Sequence, residues 1–442
     1  MENDKKLYLK TFGCQMNDAD SSKIKSLLAD MNIGSVNEAE DADIILLNTC
    51  SIRWKAEHKV YSELGRFKKI KTRRPHVIVG VGGCVAQQEK DEMFRRAPHL
   101  DIVFGTHNIH KLPDMIKSVY EKRGQVLETE FFDSPEPLVY PAPEEGGIKA
   151  YVNIMRGCNN FCTYCIVPYV RGRETSRPWG DIRDEVLKLA QFGVKEITLL
   201  GQNVNSYGNG SSDGVGFSQL IRKVAEVDGI ERIRFATSHP KDLSDDLISA
   251  FAEVDKLCKH LHLPVQSGSD KVLSTMKRVY TVGSYMEKVK KLKTLVPHIA
   301  ISTDIIVGFP GEGREDFEKT LELMNVIRYD SSFSFKYSKR PGTAAADLKD
   351  NVPESEKEIR LATLQALQKE HSMETNRAQI GKIEPVLVEG ASKKGEAMVR
   401  GRTPGNRVVN FRGGEDLFSK TVLVHITGAF TNSLQGELSR LH

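Results

Sequence analysis

The sequence predicts an α/β protein in three parts: an N-terminal doubly wound parallel α/β domain, a central partial (β/α)6 barrel and a small C-terminal all-β barrel. Three observations carry that expectation. Strand-like and helix-like segments alternate in the first hundred or so residues, and they alternate again after a proline-rich stretch. Beyond one long charged helix, only short β-branched runs remain.

The first domain rests on the runs LYLKTFG (7–13), DIILLNT (43–49), VIVGVGG (77–83) and DIVFG (101–105). Segments between them, such as 18–30 and 52–69, have helical length and spacing, which is the pattern of a parallel sheet covered by helices. Residues 133–149 (DSPEPLVYPAPEEGGIK) hold four prolines and two glycines and read as a linker. The domain boundaries expected from this are 1–132, 150–376 and 377–442.

Six candidate strands make the barrel: YVNIMRG (151–157), EITLLGQ (196–202), RIRFATS (232–238), HLHLPV (260–265), AISTDIIVG (300–308) and SSFSFKY (331–337). Chemistry in such a barrel sits at the carboxyl ends of the strands. Residues 353–380 read as a single charge-laced helix. The runs PVLVEG, AMVRGRT, RVVNF and TVLVHITGAF that follow suggest a small barrel, a fold with recurrent oligonucleotide-binding use.

Composition narrows the class. A hydrophobic content of 39% with 28% charged residues fits an ordinary soluble protein, and no apolar run reaches the length of a membrane span. The start, MENDKKLYLKTFG, has no apolar core of a secretory signal, so a cytoplasmic location is expected. The net charge of +4 is small, but residues 377–442 carry ten Lys and Arg against six Asp and Glu. With the run RFKKIKTRR (66–74), that makes two basic patches, which suit nucleic acid or a merely solvated face.

Seven cysteines, an odd number in a long chain, argue against a disulfide framework. Residues 156–166 read RGCNNFCTYCI and bring Cys158, Cys162 and Cys165 onto one tight loop. Three thiolates on a four-iron cluster leave one iron open for chemistry. Zinc, the alternative, wants a fourth ligand, and no Cys or His follows within a dozen residues. Cys14, Cys50 and Cys84 each fall at or close to the end of an expected strand, and those ends form one rim in a parallel sheet. They would converge as a second three-thiolate site, unless each is simply a buried core thiol. Cys258 has no sequence partners and reads as core.

The Cys-x-x-x-Cys-x-x-Cys loop resembles that of the radical S-adenosylmethionine superfamily. The segments KTFGCQMNDADS (10–21), LLNTCSIR (46–53), VGGC (81–84), IMRGCNNFCTYCIVPYVRGRETSRP (154–178), LHLPVQSGSD (261–270) and STDIIVGFPGE (302–312) resemble the methylthiotransferase family over essentially the whole chain. The resemblance implies a central barrel of radical S-adenosylmethionine type and a C-terminal TRAM-like RNA-binding barrel. It implies two 4Fe-4S clusters: a catalytic, radical-generating one on Cys158, Cys162 and Cys165, and an auxiliary, sulfur-delivering one on Cys14, Cys50 and Cys84. S-adenosylmethionine would serve as methyl donor and as radical source.

Further site residues are implied by the same resemblance. Tyr164 would lie near the cofactor adenine. The Gly-Gly-Glu that often holds the methionine amino group has no copy here, and Gln202 or Asn203 would take its place. Ser238, Gln266 and Asp304 complete the expected cofactor set, while Arg171, Arg173 and Glu174 are expected to line the substrate mouth.

Family substrates include isopentenyladenosine beside the tRNA anticodon, threonylcarbamoyladenosine in tRNA and an aspartate of ribosomal protein S12. The stretches NTCSIRWKAEHKVYSELG, NIMRGCNNFCTYCIVPYVRGRE and KRVYT look most like the first branch, with a methylthio group added at carbon 2. The adenosine would have to leave the anticodon-loop stack to enter the barrel. Expected partners are the tRNA anticodon loop, an electron donor such as flavodoxin or ferredoxin, and a sulfur-supply protein, with no membrane and a monomeric enzyme. A non-catalytic iron–sulfur RNA-binding protein is the rival class.

Overall fold

The computed structural model describes residues 5–51, 54–122, 124–132, 147–210 and 213–439. Most of the expected linker, up to residue 146, lies outside them. Strands β1 (Lys6–Thr11), β2 (Gly34–Ser35), β3 (Ile44–Thr49), β4 (Ile78–Gly83), β5 (Ile102–Phe104) and β6 (Val126–Glu128) form one parallel sheet in the order β2-β1-β3-β4-β5-β6. Helices α1 (Gln15–Ala29), α2 (Trp54–Arg73), α3 (Cys84–Glu89), α4 (Glu92–Arg96) and α5 (Leu112–Lys122) connect them. Every residue of β3 and of β4 is buried, as strands covered on both faces require. The side chains of these strands divide between two apolar layers, one around Ile45, Leu47, Val79 and Val81 and one around Ile44, Leu46 and Ile78.

The central domain opens with β7 (Lys149–Asn153), the short hairpin of β8 (Met155–Arg156) and β9 (Thr175–Ser176), and β10 (Glu196–Leu200). It continues through β11 (Arg232–Phe235), β12 (His260–His262), β13 (Ala300–Val307) and β14 (Ser331–Lys336). Two parallel half-sheets result, β11-β10-β7 and β12-β13-β14, with a single bridge from Ile233 to Leu257 at the seam. Helices α6 (Val167–Arg171), α7 (Trp179–Gln191), α8 (Phe217–Ala225), α9 (Asp245–Glu253), α10 (Asp270–Thr275), α11 (Val282–Leu295) and α12 (Arg314–Ile327) occupy the crossovers. Val152, Ile197, Leu199, Ile233, Phe235, Leu261, Ile301 and Ile305 join the apolar layer under those helices. Because strand side chains alternate, Tyr151, Leu200, His262 and Asp304 face the opposite way, into the barrel interior.

Helix α13 (Glu354–Arg377) then leads to β15 (Ile383–Ala391), β16 (Met398–Arg402), β17 (Val408–Arg412), β18 (Thr421–Phe430) and β19 (Ser433–Leu438). They close into a barrel in the order β15-β16-β17-β19-β18 around Val386, Val388, Val399, Val409, Phe411, Val424, Ile426 and Leu434. β19 was not expected from the sequence, because SLQGEL has no β-branched residue.

This small barrel docks on the amino ends of the central strands. Arg232 donates to the carbonyls of Arg402 (2.6 Å) and Pro385 (2.8 Å), and Arg234 to those of Thr403 (2.8 Å) and Pro404 (3.1 Å). Arg234 also pairs with the buried Glu196 at 3.0 Å, and Glu196 with Lys149 at 3.2 Å. Desolvated guanidinium groups are tolerable only with such partners. Arg234→Met is therefore expected to cost about 3–5 kcal/mol in urea unfolding and to open the junction near residue 380 to proteases. Arg314→Ala, which removes an exposed intrahelical pair to Glu318, should leave the unfolding midpoint in place.

Candidate functional site

The radical-type loop is built at the carboxyl end of β7. The β8–β9 hairpin pairs Arg156 with Thr175 and folds the chain back so that the Cys158 amide donates to the Gly172 carbonyl at 3.2 Å. Gly157 has a φ of 72°, and a Cβ there would stand 2.0 Å from the Arg173 carbonyl oxygen, so only glycine admits this close return. Thr163 pins the loop's centre to α10: its amide reaches the Met276 carbonyl at 3.1 Å and its hydroxyl the Thr275 carbonyl at 3.0 Å.

Cys158 and Cys162 are buried and Cys165 is partly so. Burial raises the Cys158 thiol, and burial followed by the charge of Cys162 pushes Cys165 up to about 12. Arg278 reaches into the loop, with Nη1 3.5 Å from the Cys162 sulfur, Nη2 on the Pro264 carbonyl (2.8 Å) and Nε on the Tyr280 hydroxyl (2.9 Å). A buried cation beside thiols that must ionise to bind metal favours the ligated state.

The second cysteine set forms on the rim of the first domain. Cys14 caps α1, Cys84 opens α3 and Cys50 follows β3. The Cys14 thiol is drawn down to about 6, first by a hydrogen bond with Cys50 and then, against the cost of burial, by the charge of Arg171 and the backbone at the start of α1. Cys84 is raised by burial, which outweighs the opposing effect of Arg171. Beneath Cys14 and Cys50, Asn17 Nδ2 donates to Asn48 Oδ1 (3.1 Å) and the Thr49 carbonyl (3.0 Å). Asn48 returns bonds to the Asn17 carbonyl (2.8 Å) and Ser21 (2.9 Å). The rim is thus held by satisfied buried amides.

The two sets meet across the domain interface. Cys14, Met16 and Ala19 pack on Tyr151, Leu200 and Ala236, side chains at the inner face and carboxyl ends of β7, β10 and β11. Cys84 packs on Ile166 and Val170, which belong to the turn of chain leaving the radical-type loop. Cys14 therefore abuts the barrel interior, and Cys84 the helix that leaves the radical-type loop. Among the described residues, no three His, Cys, Asp or Glu side chains close around a single metal ion. Each set offers three thiols, the donor type that iron–sulfur clusters take.

Of the other expected residues, several line this interior. Tyr164 is half-buried, edge-on to Phe309 at 6.5 Å, which in turn meets Tyr337 at 5.1 Å. Gln202 Oε1 accepts from the Gly157 amide at 2.5 Å, while its Nε2 is buried without a partner; Asn203 Nδ2 binds Asp242 at 2.8 Å and leaves its buried Oδ1 unpartnered. Those two spare polar atoms, close to the cysteine loop, suit a polar ligand. Ser238 donates its hydroxyl to the His262 carbonyl, and Gln266, at a φ of 70°, holds the seam between Asp304 and Ile306 through its backbone. Asp304 faces His262 at 3.4 Å.

The expected substrate residues separate. Arg173 is exposed, with its guanidinium 4.5 Å above the Phe161 ring, and Glu174 is half-buried with its carboxyl raised by burial. Arg171 is not at an open mouth. It is only 6% exposed and is ion-paired with Asp20 at 2.8 Å, because α6 turns its end into the first domain. Sequence reasoning missed Asp20 and Arg278 as site residues. Arg278 lies in the KRVYT segment already noted for its resemblance, and Asp20 one and a half turns along α1 from Cys14.

Comparison with known proteins agrees with this architecture. Residues 6–105 match the family described as uncharacterized protein family UPF0004, residues 152–324 the radical SAM superfamily, and residues 377–439 the TRAM domain. The radical S-adenosylmethionine methyltransferase TsrM from Kitasatospora setae superposes with a TM-score of 0.55 at 13% identity, covering 78% of this chain and 77% of that one. Cobalamin-dependent OxsB gives 0.51 at 14%, covering 83% and 56%. These likenesses concern the fold. The tRNA-2-methylthio-N(6)-dimethylallyladenosine synthase of Syntrophus aciditrophicus (strain SB) is 51% identical over 98% of this chain and 94% of its own length. That of Geotalea uraniireducens (strain Rf4) is 52% identical over 100% of both. The chain belongs to the radical S-adenosylmethionine methylthiotransferase family that includes these tRNA-2-methylthio-N(6)-dimethylallyladenosine synthases.

Proposed function

We propose that this protein adds a methylthio group to carbon 2 of N6-dimethylallyl (isopentenyl) adenosine beside the anticodon of tRNA, with one 4Fe-4S cluster on Cys158, Cys162 and Cys165 and a second on Cys14, Cys50 and Cys84. What supports it is the presence of two separate three-cysteine sets at carboxyl ends of strands, with Cys84 of one packed on the helix that leaves the loop of the other. When bound, the clusters and S-adenosylmethionine supply a radical able to take hydrogen from a ring carbon, and the sulfur and methyl that replace it. The chain's own residues do the rest. Gln202 and Asn203 present an amide donor and a carbonyl acceptor beside the loop for the methionine end of the cofactor. Tyr164, held edge-on to Phe309, offers an apolar surface for the adenine. Ser238, Gln266 and Asp304 shape the wall between.

Arg173 and Glu174 flank the way in, while the apolar contact of α1 with the barrel keeps water from the space between the cysteine sets. RNA rather than ribosomal protein S12 is favoured as substrate by the closed C-terminal barrel and its surplus of Lys and Arg. A groove bordered by Phe333, Phe335, Lys369, Thr431 and Asn432 runs from β14 toward that barrel and gives an anticodon arm a path between the two. No helix among the described residues is long and apolar enough to cross a membrane. We read the protein as a cytoplasmic monomer served by a flavodoxin- or ferredoxin-type reductant and a sulfur-supply protein.

Mass spectrometry of nucleosides after anaerobic reaction tests the substrate. Methylthiolated isopentenyladenosine is expected; product only from threonylcarbamoyladenosine tRNA or from S12 would replace it. Iron analysis should find about eight irons per chain, two clusters of four. Changing Cys158, Cys162 and Cys165 together to Ala should abolish deoxyadenosine formation. The same change at Cys14, Cys50 and Cys84 should leave cofactor cleavage and remove the methylthiolated nucleoside, both read by liquid chromatography and mass spectrometry. Gln202→Leu, which removes a buried donor, is expected to weaken S-adenosylmethionine binding by about tenfold, the worth of one good hydrogen bond, in equilibrium dialysis.

A further inference from the structure

Arg171 belongs to the central domain in sequence but to the first domain in contact. It ends α6, a helix of five residues that begins two positions after Cys165. Two hydrogen bonds fasten that end to the loop after β5: Thr106 Oγ1 donates to the Val170 carbonyl (2.7 Å), and His107 Nε2 lies 3.0 Å from the Arg171 carbonyl. Ile166, which precedes the helix, and Val170 within it press on Cys84. The guanidinium pairs with Asp20 of α1, the helix that Cys14 caps, and its charge acts on both Cys14 and Cys84. Asp20 balances its charge at 2.8 Å, and each side chain of the pair is less than 9% exposed.

A buried ion pair of this kind contributes little to stability compared with apolar packing. Its placement against two thiols suggests a different use. Cluster potentials respond to net charge and to hydrogen bonds at the sulfurs. A cation close to the ligands stabilises the more negative, reduced form, and an anion close by opposes it.

We propose that Arg171 is the positioning residue of the N-terminal cysteine site: its buried cation, anchored by Asp20, sets the charge felt at Cys14 and Cys84, and the α6 strut fixes that site relative to the radical-type loop. This rests on the reading that those cysteines carry a cluster. Arg171 touches neither nucleoside nor cofactor in this assignment and acts through the thiolates.

The test is a redox titration of the full-length, anaerobically reconstituted protein followed by electron paramagnetic resonance. The radical-loop signal is identified by its change on adding S-adenosylmethionine, and the remaining signal belongs to the N-terminal site. Arg171→Gln should shift the N-terminal midpoint to lower potential and Asp20→Asn to higher potential. Arg171→Lys should restore most of the wild-type value, and the radical-loop midpoint should stay in place throughout. An N-terminal midpoint that does not move, or that moves in the same direction in the Gln and Asn variants, overturns the proposal. Should Arg171→Gln fail to fold, Asp20→Asn and Arg171→Lys decide it alone, and an unmoved Asp20→Asn midpoint overturns it. Wild-type protein with a single cluster would instead remove the reading on which the proposal stands.

Discussion

Because α6 starts two residues after Cys165 and ends at Arg171, the separation of the two cysteine sets is set by a helix of little more than one turn, about 7 Å at 1.5 Å per residue. The helix cannot tilt freely, since its last two carbonyls are held by Thr106 and His107 and its apolar side packs on Cys84. The hairpin of β8 and β9, the tight return at Gly157 and the seating of α1 on the barrel wall border the same region. The proposed function calls for such rigidity, since small misplacements are costly when reacting groups must be brought to near contact.

The two sites solve the same electrostatic problem with different materials. The radical-type loop places its thiols in an apolar pocket, which favours the neutral thiol, and offsets this with Arg278. Arg278 also donates to the Pro264 carbonyl and the Tyr280 hydroxyl, so its position does not depend on a bound group. On the rim, the cation is Arg171, and a carboxylate holds it. The difference follows from origin: Arg278 comes from the same domain as its cysteines, whereas Arg171 crosses an interface and needs an anchor on the far side. The Asn17–Asn48 pair supplies the rim with fixed dipoles that carry no net charge.

How much of this was legible in sequence depended on range. Cys158, Cys162 and Cys165 lie within eight positions, so spacing alone disclosed their common loop. The convergence of Cys14, Cys50 and Cys84 was legible for a topological reason: strands of a parallel sheet end on one rim, whatever their separation in sequence. The partners of Arg171 and Arg278 were not, because Asp20 is 151 positions from Arg171 and Cys162 is 116 from Arg278. No local pattern encodes such pairings, and an arginine after a cysteine loop looks the same whether it points to solvent or into a neighbouring domain. The same limit hid β19, whose register comes from pairing with β17 and β18 rather than from its own residues.

The C-terminal barrel adds a constraint on how a large substrate is presented. It docks through Arg232, Arg234, Glu196 and Lys149, which stand at the amino ends of β7, β10 and β11, whereas the cysteines stand at the carboxyl ends. A strand of five residues spans about 17 Å, and a nucleoside at the cysteines lies toward the opposite end of the sheet from this barrel. A free nucleoside could not touch both. An RNA stem-loop could, with its backbone on the small barrel and its loop at the other end. The groove from Phe335 to Asn432 follows that line along α13. Under the proposed function, selection of the stem falls to the small barrel and selection of the base to the strand ends that carry the cysteines. The four carbonyls that receive Arg232 and Arg234 keep the two selections at a fixed distance.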